Sequence, residues 1–358
     1  EWENRKRARK GLKPVEPMYT IDDAARALTH FKGLVYQKPT KILPNVKLQL
    51  NDAGHILGSS IVELWLKDEG QQRTLVFSGD LGRAGMPILE DPTHIDEADL
   101  VIMESTYGDR LHRSWDETHN EITEVLSTTT SASGNILIPA FAVGRTQELL
   151  YLFAKYYKDW NLDRWQIFLD SPLAIEATRI FMQHSDLFDD EMLALWKKNK
   201  QQSILPNLNI SRTTNQSMAL NRIHSGAIII AGSGMCSGGR IKQHFKHNIW
   251  RSDCHVIISG FQARGTLGRA LVDGAKRIKL WGETVKVEAG IHTIGGLSAH
   301  ADQSGLINWY KNFNARPRLV LVHGEEEAQK TLAETLKREA NTDATIAQRG
   351  QKIDLMKL

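Results

Sequence analysis

The first long stretch of patterned sequence reads as strand. VKLQL (46–50), IVELWL (61–66) and TLVFSG (74–79) carry the polarity of half-buried strands, with KDEGQQ (67–72) turning between the last two. ADLVIME (98–104) is a short apolar run of the buried-strand kind. SWDETHNEITEVLSTT (114–129) then changes to helical spacing and opens with Ser114 and Glu117 in the positions of a capping box. From here strands and helices alternate: NILIPA into GRTQELLYLFAKYY, QIFLDSPLA into AIEATRIFMQH, GAIIIAGSGM into GRIKQHFKHNIW, HVIISGFQARG into TLGRALVDG. Such βα repetition predicts a parallel sheet covered by helices. RIKLW, TVKVEAG and IHTIGG look like hairpin strands, after which DQSGLINWYKNF, RPRLVLVHG and EEEAQKTLAETLKREA restore the α/β order. The changes of rhythm near Asp109 and His292 predict one domain inserted into another.

Composition adds bounds. The chain has 358 residues, 41% hydrophobic and 24% charged, enough to bury a large core and ordinary for a globular protein. No apolar run approaches the roughly 20 residues of a membrane helix. The opening EWENRKRARKGLK is basic and polar, which argues against a secretory signal. Two cysteines, Cys236 and Cys254, provide neither a disulfide framework nor a C-x-x-C site and fit a reducing cytoplasm. A net charge of +3 allows a nucleic-acid partner without arguing for one. The cluster Arg5, Lys6, Arg7, Arg9, Lys10 reads either as phosphate contacts or as a solvated helical face.

The candidate chemistry sits where strands stop. His55 follows VKLQLNDAG, Asp80 follows TLVFSG, Glu104 ends DLVIM, His300 follows the hairpin region in GGLSAH, and His323 ends RLVLV. Side chains from separate segments converge beyond the carboxyl ends of strands in α/β sheets, and histidines with carboxylates suit Zn²⁺ or Mn²⁺. Other chemistries fit less well. The chain has no P-loop and no G-x-S-x-G elbow, GSGMCSG is spaced wrongly for G-x-G-x-x-G, and Cys236 reads better as a small residue filling a turn than as a nucleophile.

In order along the chain, AGHILGSS, FSGDLGR, ESTYGD, IPAFAVGRTQELL, LDSPLA, GSGMCSGGR, GFQARGTLGR, GGLSAHAD and LVHGE resemble the β-CASP branch of the metallo-β-lactamase superfamily. That branch includes RNase J and the nuclease subunit of the cleavage and polyadenylation factor, and the resemblance runs from Tyr19 to His323 and beyond. It implies an α/β protein: a metallo-β-lactamase αββα sandwich with an inserted β-CASP domain, divided as 1–108, 109–296 and 297–358. It also implies a zinc-dependent nuclease that hydrolyses RNA to a 5′-phosphate and a 3′-hydroxyl. His55 matches the third superfamily motif, Asp80 the bridging aspartate, and His323 the histidine completing the second metal's shell. Glu104 and His300 match motifs A and B, so His300, Glu104 and Asp80 are the expected catalytic groups.

The resemblance further implies two Zn²⁺ ions in the complete protein, with Mn²⁺ as the alternative. The expected partner is single-stranded RNA, held by Arg264, Arg269, Arg240, Arg145 and Ser298; for Tyr107 and Phe261 packing is the favoured reading, with stacking on a base as the alternative. For each arginine a structural salt bridge is the competing reading. DNA as substrate and a homodimer both stay open, as does a catalytically defective scaffold that binds RNA or protein. A hydrolase of small esters fits the motifs poorly. One departure stands out: H-x-H-x-D-H, the family's richest ligand motif, is absent. The expectation is therefore a chain that begins partway through the metallo-β-lactamase domain and holds zinc weakly by itself.

Overall fold

The computed structural model describes residues 2–129, 133–198 and 205–358. The chain divides into two units, residues 1–38 and 39–358. In the first, α1 (Trp2–Ala8) carries Arg5, Lys6 and Arg7, and α2 (Ile21–Leu28) opens with a capping box between Thr20 and Asp23. No residue of α2 is buried, and Met18, Ile21 and Phe31 are exposed.

The second unit opens with β1 (Thr40–Leu43), β2 (Val46–Asp52), β3 (Ser60–Asp68), β4 (Gln71–Phe77) and β5 (Leu100–Met103). It continues through α3 (Trp115–Thr128), β6 (Ile136–Pro139), α4 (Arg145–Lys155), β7 (Gln166–Leu169), α5 (Pro172–Phe181) and α6 (Asp190–Lys198). Next come β8 (Leu208–Ile210), α7 (Thr214–Leu220), β9 (Ala227–Ala231), α8 (Ile241–Asn248), β10 (His255–Ile258) and α9 (Leu267–Val272). The last elements are β11 (Arg277–Leu280), β12 (Glu283–Lys286), β13 (Gly290–Thr293), α10 (Gln303–Lys311), β14 (Arg318–Leu321), α11 (Glu326–Ala340) and β15 (Ala344–Ile346).

One sheet has seven strands in the order β1-β2-β3-β4-β5-β14-β15, antiparallel from β1 to β4 and parallel from there on. Its helix-covered face is apolar. Ile61, Val76, Val101, Met103, Leu319 and Leu321 pack with Leu306, Tyr310, Leu332 and Leu336 of α10 and α11. On the other face the register aligns Leu48, Leu64 and Leu75 in one row and Leu50, Val62 and Phe77 in the next. These rows are half-buried, and Phe77 is exposed. Among the described residues this is the one sheet that the segments before and after the second sheet build, where the resemblance implies two sheets in a sandwich.

The chain leaves this sheet after β5 and builds a second, all-parallel sheet in the order β13-β10-β6-β9-β7-β8. Both faces are covered. Ile122, Leu149, Phe153 and Ile175 cover one side, and Phe245, Ile249 and Leu271 the other, so β9 reads AIIIA with every residue buried.

IHTIGG departs from the hairpin expected for it. Of the three stretches, RIKLW and TVKVEAG pair as the hairpin β11–β12, whereas β13 runs parallel to β10 as an edge strand, His255 opposite Gly290. The backbone N–H groups of Glu288 and Ala289 both donate to the carbonyl of Ile249. That anchor returns the chain to the sheet edge after the hairpin.

Candidate metal and active site

Three loops meet at the carboxyl ends of strands in the seven-stranded sheet. His55 lies in the loop after β2, Asp80 in the loop after β4, and His323 immediately after β14. His300 enters from the segment before α10 through an antiparallel bridge with Gly82. Glycine is what lets the first two loops touch. The Gly82 N–H donates to the Ala53 carbonyl at 2.7 Å, and a Cβ at Gly82 would stand 2.0 Å from the Gly54 carbonyl oxygen. Gly82, in the Asp80 loop, is thus the residue whose missing side chain admits the backbone of the His55 loop, whereas a Cβ at Gly54 would meet Glu90 and Pro92 instead.

Asp80 is central. One carboxylate oxygen lies 3.9 Å from Nε2 of His55, and the other 3.4 Å from Nδ1 of His323. Potential ligand atoms of His55, Asp80 and His300 all fall within 4.8 Å of one another. The His300 ring is 4.3 Å from that of His55 and 5.9 Å from that of His323, centroid to centroid. Burial, reinforced by the charge of His300, pushes the His55 pKa down to about 4, so the ring is neutral near pH 7 and keeps a lone pair. A neutral imidazole, a carboxylate offering its two oxygens in different directions and a second imidazole form the nitrogen and oxygen donor set that suits zinc. The residues fit the metal.

Glu104 and His300 form the second feature. Nδ1 of His300 is 3.0 Å from Oε1 of Glu104, which also accepts from the Leu81 N–H at 2.7 Å; Oε2 accepts from the Thr106 N–H at 3.2 Å. Burial opposes the charge on Glu104, but these bonds, led by His300, hold its pKa below the usual value. Burial likewise opposes the charge on His300, and the hydrogen bond and charge of Glu104 overcome it and raise the imidazole's pKa.

Two groups in contact with the predicted residues escaped the sequence reading. Thr106 Oγ1 is 3.1 Å from Nδ1 of His323, and His112 Nε2 is 2.9 Å from the His300 carbonyl oxygen. Both stand in ESTYGDRLH, where a hydroxyl two positions after Glu104 was the available signal. His323 itself has φ +51°, a left-handed conformation uncommon for histidine, stabilised where its carbonyl accepts from Ser105 N–H at 3.3 Å.

A cavity of about 430 Å³ opens between His55, Ile56 and His300 on one side and the strand ends of the parallel sheet on the other, where Phe141, Met235 and Phe261 line it. A second, of about 220 Å³, adjoins it across Gly260 and Phe261 and is lined by Tyr107, Arg110, Arg113 and Arg269.

The predicted RNA contacts fall into two groups. Ser298 is buried in the wall of the first cavity and hydrogen-bonds Tyr107, and Arg145 lines the same cavity while paired with Glu148. Arg269 lines the second cavity with its Nε on Asp273, and Arg264 is exposed, its Nε 3.4 Å from Glu325. Arg240 is committed elsewhere: its guanidinium binds Asp170 at 2.7 Å and the carbonyl oxygens of Ser211 and Arg212. Asp170 also accepts from Ser217 at 2.6 Å and pairs with buried His244 at 2.7 Å. Tyr107 is buried between Phe261 and His112, which leaves Phe261 as the aromatic ring that borders both cavities.

A fold of this topology, with histidines and an aspartate at the strand ends beneath an inserted α/β domain, is that of a metallo-hydrolase. Two family models match the chain: the Beta-Casp domain over residues 146–271 and the Zn-dependent metallo-hydrolase RNA specificity domain over residues 284–347. The chain belongs to the β-CASP branch of the metallo-β-lactamase superfamily. It is 38% identical over 340 residues to Ribonuclease TTHA0252 of Thermus thermophilus, covering 95% of this chain and 74% of that protein. An RNase J-like protein of Methanocaldococcus jannaschii is 29% identical over 321 residues, 89% of this chain and 73% of its own. Transcription termination factor FttA of Pyrococcus abyssi is 31% identical over 334 residues, and this chain spans 51% of its length.

Proposed function

We infer that the protein is a zinc-dependent ribonuclease that hydrolyses phosphodiester bonds of single-stranded RNA. The observation that carries this reading is the convergence of His55, Asp80 and His323 beside the His300–Glu104 pair, at the mouth of a cleft facing the inserted domain. His55, Asp80 and His323 are the proposed zinc-binding side chains. Zinc held there supplies a Lewis acid and an activated water. The two oxygens of Asp80 turn to different imidazoles, and that supports the reading in which His55, Asp80 and His323 would hold two zinc ions between them.

His300 is the proposed proton donor. With Nδ1 engaged by Glu104, Nε2 is the nitrogen left to protonate the leaving oxygen, and the anionic partner keeps the ring charged until it does so. Glu104 orients that ring. Transfer of the proton to the 3′ oxygen leaves a 3′-hydroxyl and a 5′-phosphate. Phe261, Ser298, Arg269 and Arg264 border the path we assign to RNA, with the inserted domain at 109–296 between segments 1–108 and 297–358. The passage from one sheet to the other after β5, and back after β13, supports those limits.

A second reading makes His300 a zinc ligand, since a ring nitrogen lies within 4.8 Å of ligand atoms of His55 and Asp80. Zinc analysis of His300→Ala separates the two. The function itself is tested by incubating the zinc-loaded protein and Asp80→Asn with a labelled single-stranded RNA. Zinc-dependent cleavage by the first and none by the second is expected, and equal cleavage by both would refute the assignment.

A further inference from the structure

The hairpin β11–β12 lies outside both cavities, and its outer face is basic. Ile278 and Leu280 point into the core, so the alternate positions Arg277 and Lys279 are exposed. Across the ribbon Arg277 stands directly opposite Lys286, and Lys279 opposite Thr284, all exposed. Like charges facing each other across a strand pair are destabilising. Lys286 pairs with Glu288, whereas Arg277 and Lys279 have no ion pair among the described residues. Lys276 precedes them, also exposed.

The turn of this hairpin is also unusual. Its two residues, Trp281 and Gly282, have φ +50° and +92°, so both central positions are left-handed. Asn-Gly or Asp-Gly is the favoured pair for such a turn, and a bulky residue there is an outlier. Trp281 nevertheless occupies it and leaves 47% of its surface exposed, with Lys242 Nζ of α8 5.0 Å from the ring centroid. Along the other flank Lys246 of α8 meets Glu283, and exposed Trp250 follows α8. Arg277 facing Lys286 and a bulky residue on a turn that disfavours it are costs to the folded chain, and the Lys242 contact still leaves nearly half of the indole exposed.

We propose that the β11–β12 ribbon and the adjoining edge of α8 form an RNA-binding surface outside the catalytic cleft, where Arg277 and Lys279 contact phosphates of a single strand and Trp281 stacks on a base. The choice of occupant rests on the ribonuclease reading. Charge favours a polyanion, and a planar exposed indole beside cations is the platform used for unpaired bases. The surface would hold the part of a long substrate that extends beyond the cleft.

The test uses the full chain in EDTA, so that binding is read without cleavage, and a fluorescein-labelled 20-nucleotide single-stranded RNA followed by anisotropy. Trp281→Asn suits the turn better than tryptophan, so thermal stability should hold or rise while Kd weakens about tenfold, the loss of one stacked base. Arg277→Gln with Lys279→Gln should lower the slope of log Kd against log salt by about one to two. Wild-type Kd and salt slope in both variants would overturn the proposal, as would equally strong competition by duplex RNA of the same length. Cleavage of a four-nucleotide RNA by the zinc-loaded protein is scored separately. Its absence alongside ribbon-dependent binding would sink the ribonuclease reading and leave this surface standing, whereas its presence with unaffected binding would do the reverse.

Discussion

Nδ1 of His300 lies 3.0 Å from one oxygen of Glu104 and 3.1 Å from the other, and the Glu104 carboxylate is buried. The contact fixes one edge of the imidazole against the protein. Glu104→Gln keeps the size of the acceptor and removes its charge. If Glu104 serves to orient and charge His300, kcat should fall about a hundredfold with KM and zinc content unchanged. A rise in KM alone would assign Glu104 to substrate binding.

Asp80 contacts both other candidate ligands, so its replacement should release metal more completely than that of His323, which is 56% exposed. Asp80→Ala should lose zinc and activity together. His323→Ala should recover part of its activity in excess zinc. Elemental analysis and turnover on the same samples check both, and full zinc occupancy in Asp80→Ala would contradict the ligand assignment.

Gly82→Ala places a methyl group 2.0 Å from the Gly54 carbonyl oxygen, a backbone atom that cannot turn aside. The His55 and Asp80 loops must then separate. Overpacking of this kind costs about 1–3 kcal/mol, and occasionally more. Thermal unfolding should therefore shift downward, accompanied by weaker zinc binding. An unshifted transition with intact zinc affinity would show that the loops do not depend on this contact.

Much of this was legible in the sequence because strand ends are chemically marked. Asp80, Glu104 and His323 each follow a run of apolar residues, and His55, after an alternating strand, is conspicuous as an imidazole among small neighbours. The helix at Ser114 was also readable, since Ser114 and Glu117 do form the capping box. What stayed hidden depends on partners distant in sequence. β1, β8 and β15 have only three or four residues, too few for a period to show. β13 is an edge strand whose parallel neighbour, β10, precedes it by some thirty residues and a hairpin. Arg240 looked like Arg264 in the sequence, each beside glycine, yet one is tied to Asp170 and the other is exposed.

That Asp170 network has its own pH signature. Burial works against the Asp170 charge, but bonds from His244, Ser217 and Arg240 hold its pKa below the ordinary carboxylate value. A depressed folded pKa means stability that is present above about pH 3.9, the unfolded value, and lost as pH falls through the folded one. Asp170→Asn should remove this acid dependence. It should also destabilise the protein by about 3–5 kcal/mol at neutral pH, because Arg240 and His244 keep their burial without the carboxylate. Denaturant unfolding at pH 7 and pH 3.5 measures both effects. An unchanged pH profile would mean that Asp170 titrates alike in the folded and unfolded states.

The most direct test of the account is single-turnover cleavage of single-stranded RNA by zinc-loaded His300→Ala, with zinc content and RNA affinity measured on the same sample. General acid catalysis contributes about 10²–10⁴-fold, so the cleavage rate should fall by that factor while metal and affinity match the unmodified protein. Wild-type cleavage with full metal and full affinity would contradict the proton-donor role. Loss of zinc in step with the rate would make His300 a ligand instead.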